Sequence, residues 1–419
     1  MIKIFKFGGA SVKDAAAVRN MADIVRSYAH HSLVVVVSAM GKTTNTIERI
    51  HVARFEGRPY KKELDELILF HQQLVDELFE SSTTGSTALQ AQIISFINTL
   101  NRPCASNYDE EYDLLIGFGE LISTSIVHAY FQQEGIVSSW FDARESIITD
   151  KRYRDARVDW ETSAGRIESI EKKLRGKSVC VIQGFIGSTA EGRATSLGRE
   201  GSDFTAAILA YLLNADDVTI WKDVPGMLNA DPKRFKDTVK LDRISFKEAI
   251  ELAYYGASVI HPKTIKPLQN KGIPLFIKSF VHPQDAGTLI CDSTTNDSAI
   301  PNYIIKDNQV LLSISTRDFS FIVEDNLKEI FETLSDLGVR IHLMENSAIS
   351  FSIVFDHDTH KLSSLLKALD FRYSTRFNED LTLLTILHWN EADSEKLTHG
   401  KEIILEQRSR HTLRLLLRG

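Results

Sequence analysis

Short aliphatic runs, each closed by glycine or small polar residues and followed by a stretch with helical periodicity, recur over roughly the first 300 positions. Residues 2–7 (IKIFKF) read as a strand that Gly8-Gly9 ends, and Asp14 is placed to cap a helix reaching Tyr28. Residues 33–37 (LVVVV) show no polar alternation, the mark of a strand covered on both faces. A small-residue loop is expected at 38–45, helices at 61–80, 87–100 and 111–134, and strands at 136–140 and 178–183. Ser202 is expected to cap a helix through Leu213. A strand follows at 217–221, helices at 247–255 and 262–269, and a strand at 274–278. This β-α alternation predicts an α/β domain over 1–292: a mostly parallel sheet with helices on both faces and ligand sites at the carboxyl ends of its strands.

The pattern changes after a polar linker at 291–302. Strands at 310–314, 339–344, 349–355 and 372–377, with helices at 324–337 and 359–369, make one β-α-β-β-α-β unit over about 308–378. A second copy, about 380–419, has strands at 381–387, 402–407 and 412–417 and room for a short helix at 392–397. Its last helix and strand are missing. A second region, 303–419, is thus expected to be a small α+β repeat, the kind of sensor that pairs edge to edge.

Composition narrows the function. The 419 residues suffice for two or three domains, and 43% hydrophobic with 25% charged residues is ordinary for a globular protein. A net charge of −7 supplies no basic field for nucleic acid or an anionic membrane, so neither partner is expected. An anionic substrate must be held by local groups. Three cysteines scattered along the chain argue against a disulfide framework and a zinc site, and no metal ligands are assigned. The N-terminus carries no signal-peptide pattern, and no uncharged apolar run reaches membrane-spanning length, so a cytoplasmic protein is expected.

Six segments carry candidate chemistry. In Lys6-Phe7-Gly8-Gly9-Ala10-Ser11 a strand delivers a lysine, two glycines that admit an anion to the backbone, and a hydroxyl before a helix. That suits a transferring phosphoryl group, and it equally fits a tight strand-to-helix turn. Ser38 to Asn45 (SAMGKTTN) lies at another strand's carboxyl end; alone it reads as a capped loop. Glu120 is the only charge in the fourteen residues LLIGFGELISTSIV and must be buried, so it needs a partner: a substrate ammonium or an internal arginine. Gly198-Arg199-Glu200-Gly201-Ser202-Asp203 offers a guanidinium fork for a carboxylate and an acid that either orients Lys6 or only faces the helix dipole. Trp221-Lys222-Asp223-Val224-Pro225-Gly226, with Asp231-Pro232-Lys233, puts two lysines where phosphates or plain turns belong. His261, before Pro262, is a structural residue: a carboxylate nucleophile is already ionised and needs no base.

In order and spacing these segments resemble the aspartokinase family: KFGGAS, SAMGKTTN, GFGELIS, QGFIGS, LGREGSD, WKDVPG with ADPK, and YGASVIHP, followed by a tail similar to paired ACT domains. The resemblance covers essentially the whole chain. It implies a monofunctional enzyme that moves the γ-phosphoryl of ATP, accompanied by Mg2+, to the β-carboxylate of L-aspartate, opening the route to lysine, threonine and methionine. Lys6 would stabilise the phosphoryl group with Gly8 and Gly9, and Asp203 would fix Lys6. Arg199 would bind an aspartate carboxylate, Glu120 its ammonium, and Ser38, Thr44 and Ser202 would line that pocket. Ser11, Lys222, Asp223, Lys233 and Ser258 would lie along ATP. His342, Asn346 and Ser347 would meet an effector, lysine or threonine, and the ACT-like region would pair copies into a homodimer or higher homo-oligomer. In the kinase region three positions depart from the family's pattern, Ala10 for threonine, Lys222 for threonine and Ser258 for lysine. In the tail His342 stands where an acid is common and Ala348 where a glutamate is, which leaves the effector's identity and existence open. The exchange in the kinase region suggests that Lys222 serves the nucleotide in place of the missing lysine. The alternatives are another amino acid kinase, such as one acting on acetylglutamate, and a catalytically weak amino-acid sensor that keeps the fold.

Overall fold

A computed structural model describes residues 1–79, 83–176, 178–257, 260–318 and 320–419. The chain forms two compact units. The second takes Leu228–Val239, Tyr254–Ala257 and Ser298–Gly419; the first takes the remainder up to Asp297.

The first unit is organised by an eight-stranded sheet. Its strand order is Ser138–Phe141, Val179–Gln183, Ser32–Val37, Ile2–Phe7, Asp217–Lys222, Leu275–Ser279, Thr288–Cys291 and Arg243–Ser245. All neighbours are parallel except Leu275–Ser279 with Thr288–Cys291. Leu33 to Val37 are all 0% exposed. Successive strand residues point to opposite faces, so total burial of five in a row means that both faces are covered. Helix Gly201–Leu213 packs on Ser32–Val37, Ile2–Phe7 and Asp217–Lys222, and Phe118–Gln133 packs on Ser138–Phe141, Val179–Gln183 and Ser32–Val37. Ile2–Phe7, Ser32–Val37, Val179–Gln183 and Asp217–Lys222 are adjacent and parallel, so their carboxyl ends lie along one edge.

Several local expectations shift. Asp14 caps helix Ala15–Ser27 by accepting from Ala17 N–H at 2.8 Å. Ser202 does not cap its helix: Glu200, at φ 54°, is the N-cap residue, and Ser202 lies in the first turn. There it packs so closely on Gly184 that a Cβ at that glycine would fall 2.4 Å from Ser202 Cβ. The helix expected at 111–134 is two helices, Tyr108–Ile116 and Phe118–Gln133, broken at Gly117 where Ile186 closes in. A three-stranded sheet of Ile148–Thr149, Ile186–Thr189 and Ala194–Ser196 was not anticipated; strands this short carry no usable alternation.

The second unit is a six-stranded antiparallel sheet. Its order is Ile341–Asn346, Ser350–Asp356, Asn302–Thr316, Tyr373–Leu387, Thr412–Arg418 and Glu402–Arg408. Asn302–Thr316 and Tyr373–Leu387 are single fifteen-residue strands that run through both halves. Polar residues at their middles, with Asn308 at φ 54° and Asp380 at φ 58°, form irregularities that interrupt the alternation and read as strand ends in sequence. The fourth strand of the short second half therefore comes from upstream, through Asn302 to Lys306.

Helices Thr43–Phe55 and Tyr108–Ile116 are joined by a buried ion pair of Arg54 with Glu111, whose side chains are 6% and 0% exposed. Arg54 also donates to the carbonyls of Leu100 and Arg102, and Glu111 accepts from Ala105 N–H at 2.8 Å. Breaking one side of such a pair strands a buried charge. Arg54→Met should lower unfolding free energy by about 3–5 kcal/mol in denaturant titrations, and adding Glu111→Leu should restore much of it. Additive losses would show that the pair is not the source of the cost.

Candidate active site

The loops that leave the four adjacent strand ends enclose a cleft of about 560 Å³. Two of them meet backbone to backbone. Gly41 N–H donates to Gly9 O at 3.2 Å, and a Cβ on Gly9 would stand 2.9 Å from Ala39 O. Glycine at position 9 is thus required by close approach.

Lys6, one residue before the end of its strand, is 9% exposed, and its Nζ lies 2.7 Å from Asp203 Oδ1. That contact is an ion pair at an angle that leaves Oδ1 without a well-directed hydrogen bond. The other Asp203 oxygen faces Lys222 Nζ at 3.6 Å. Burial alone would raise the Asp203 pKa, but the two ammonium groups outweigh it and hold the carboxyl below the usual range. Asp203 is therefore ionised and fixes both lysines.

Glu120 behaves in the opposite way. It is 3% exposed; Oε1 accepts from Ala39 N–H at 3.1 Å, and Oε2 is buried without a hydrogen-bond partner. Burial pushes its pKa up to about 8. The internal arginine that would have explained a buried glutamate is not what it meets. A buried carboxyl with one orphan oxygen, on the wall of a cleft, is left with an acceptor that no protein donor fills.

Ser38, Thr44, Arg199, Ser202, Lys222 and Gly9 line the same cleft. Gly8 stands against Lys6: a Cβ there would be 3.3 Å from its Nζ. Ser11 is buried in the turn below, donating its N–H to Gly8 O at 2.9 Å, and Asp223 is exposed just past the strand end. Lys233 is exposed on a turn of the second unit, and Ser258 lies outside the described residues. In the tail, His342 is buried, 2.9 Å from Asp356 and 3.2 Å from Lys306 Nζ, whereas Asn346 and Ser347 are exposed where the hairpin turns. The structure thus does not gather these three into one exposed loop.

Sequence reasoning missed Glu200, Arg154, Tyr112 and Phe185, which also line the cleft. Glu200 Oε2 is buried without a hydrogen-bond partner, and burial together with the Asp203 charge raises its pKa. The Arg154 guanidinium sits 4.2 Å from the Tyr112 ring centroid, and its backbone N–H, at φ 65°, donates to Asp113 Oδ2 at 2.9 Å. The basic run KRYRDAR was the one available signal. Among the described residues no group of three or more His, Cys, Asp or Glu is placed to hold a metal ion.

The cleft thus combines cationic side chains, among them Lys6, Arg199 and Lys222, with two acids that each keep an unpartnered buried oxygen, Glu120 and Glu200. Residues 1–279 match the amino acid kinase family. The chain is 31% identical over 395 residues to lysine-sensitive aspartokinase 3 of Escherichia coli, covering 92% of this chain and 87% of that protein. It is 30% identical to the chloroplastic bifunctional aspartokinase/homoserine dehydrogenase of Daucus carota, covering 89% of this chain but 42% of that longer protein. The crystal structure of E. coli aspartokinase III in complex with aspartate and ADP superposes with a TM-score of 0.81 at 28% identity, covering 100% of this chain and 96% of that one.

The raised Glu120 pKa makes a prediction about the empty protein. A carboxyl whose folded pKa is raised contributes stability that is fully present below its unfolded value and lost as pH climbs through about 8. Melting temperatures of the wild type should therefore fall between pH 5 and pH 8 relative to Glu120→Gln. Parallel melting curves for the two proteins across that range would contradict the burial account.

Proposed function

This chain belongs to the amino acid kinase family, within its aspartokinase group, and from that premise we propose that it transfers the γ-phosphoryl of ATP to the β-carboxylate of L-aspartate. The observation that carries the reading is the buried Lys6–Asp203 pair in the same cleft as the orphan oxygen of Glu120. An acceptor with two carboxylates and an ammonium needs both signs of charge within one small space, and this cleft has them.

A carboxylate oxygen of aspartate attacks phosphorus, the bond from the γ-phosphorus to the β,γ-bridging oxygen breaks, and ADP leaves with its electron pair. The nucleophile is already ionised, so no base is required. Little covalent work falls to the protein; positioning and neutralisation dominate. Lys6, held by Asp203, faces the charge that builds on the transferring group. Lys222, tied to the same carboxylate, serves the nucleotide phosphates. Arg199 takes a substrate carboxylate, Glu120 the ammonium, and Ser38, Thr44 and Ser202 the remaining polar edges. Asp203 and Glu200, the two acids beside the lysines, would hold a Mg2+ accompanying the nucleotide, which would supply neutralisation of phosphate charge; among the described residues no group of three or more His, Cys, Asp or Glu forms a cage for it.

The tail is read as a sensor for an amino-acid effector, lysine by similarity to the lysine-sensitive relative. Strand Ile341–Asn346 leaves one edge of its sheet unpaired, with Met344 52% exposed, which suits pairing with a second copy.

The test is hydroxamate formation from ATP, Mg2+, aspartate and hydroxylamine, with acetylglutamate as competing acceptor. Lys6→Ala should lower kcat by about 100- to 1,000-fold. Arg199→Ala should raise KM for aspartate by about tenfold or more. Acetylglutamate-dependent product, or none from a folded protein that binds ATP, would replace this reading with the other kinase or with the sensor.

A further inference from the structure

The first unit holds a second cavity, of about 690 Å³, within the usual size of small-molecule sites. Three elements build it. Helix Pro262–Lys271 turns Lys263 and Lys266 toward it, three residues apart and so on one face. Helix Gly201–Leu213 gives Phe204 and Tyr211, seven residues apart, while its Ser202 and Asp203 line the cleft already described. The basic loop and the start of the next helix add Arg152, Arg157 and Trp160.

Two properties define what would fit. The apolar wall is aromatic: the Trp160 and Tyr211 rings meet edge to face with centroids 5.0 Å apart. The rim carries four cationic side chains and a single acid, Asp155, which Lys263 already pairs with. On a chain of net charge −7 this is a local reversal of sign.

The basic loop is shared between the two cavities. Arg154 lines the cleft, whereas Arg152, Asp155 and Arg157 line the second cavity. Asp150 Oδ1 ties the loop together by accepting from Arg152 N–H at 3.1 Å and Arg157 N–H at 2.9 Å. The loop also abuts the arginine loop of the cleft: a Cβ on Gly198 would come within 2.7 Å of Asp155 Oδ1 and 3.0 Å of Arg154 O. An anion that draws Lys263 from Asp155 therefore bears on the backbone beside Arg199.

We propose that this cavity is a second ligand site, for a planar aromatic molecule bearing a phosphate or carboxylate, and that its occupancy is felt in the cleft through the shared loop. The binding half stands on the cavity alone; the coupling half rests on the aspartate kinase reading.

The probe is phenyl phosphate, with benzoate and inorganic phosphate beside it, titrated by calorimetry into the full chain. Arg157 and Lys266 are exposed, so Arg157→Glu with Lys266→Glu should leave the fold and the basal reaction intact, as a melting curve verifies. The expected result is saturable binding of phenyl phosphate, weakened about tenfold or more in the double variant and retained in Lys6→Ala. The ratio of phenyl phosphate to benzoate affinity assigns the acid group. No saturable binding, equal binding in the double variant, or inorganic phosphate binding as tightly as phenyl phosphate overturns the site. In the hydroxamate assay, phenyl phosphate should shift KM for aspartate about fivefold in the wild type and not in the double variant. Binding with an unchanged KM overturns the coupling while leaving the site and the kinase reading standing.

Discussion

A lysine placed near the end of a central strand, 9% exposed, is tolerable only if its charge is answered, and Asp203 answers it at 2.7 Å. Much of the cleft follows from that pair. It joins the first strand to the first turn of helix Gly201–Leu213, which fixes where the Gly198–Arg199 loop must pass. Lys222, from the adjacent strand, shares the same carboxylate, so two neighbouring strands of the sheet and one helix meet at one buried acid. The glycines at 8 and 9 are the other half of the constraint, because the loop beside Lys6 has no room for a side chain facing Ala39 O.

The cleft then sorts its carboxylates by environment. Asp203 is surrounded by ammonium groups and stays ionised, whereas Glu120 has one backbone N–H and a buried orphan oxygen and holds its proton to about pH 8. The first orients the lysines; the second, in the function proposed above, is the receptor that a substrate cation completes. This division needs no metal cage and no histidine base, and it fits phosphoryl transfer to a nucleophile that is already an anion.

The sheet, its parallel strands and most of the cleft were legible from sequence because their signals are strong and local. A run of one leucine and four β-branched valines bounded by serines reads as a doubly covered strand, and a lone glutamate in an apolar helix reads as buried. What was not legible depends on tertiary approach. Nothing in the sequence marks Glu200 as a left-handed N-cap in place of Ser202, which instead packs on Gly184 in the first turn. The break at Gly117 falls where Ile186, about seventy residues away in sequence, leaves little room for a side chain. The long strands of the tail were read as pieces because their irregular polar centres erase the alternation on which the reading relies.

The claim that bears most weight is that Asp203 acts through Lys6. A double-mutant cycle on kcat, with Lys6→Ala, Asp203→Asn and the combination, tests it directly. If Asp203 acts on the chemical step by holding Lys6, kcat of the double variant should match that of Lys6→Ala alone, and the loss of the Asp203 contact to Lys222 should appear in KM for ATP. If the two losses multiply, Asp203 has a separate duty in the reaction and the pair is not the organising feature of the cleft.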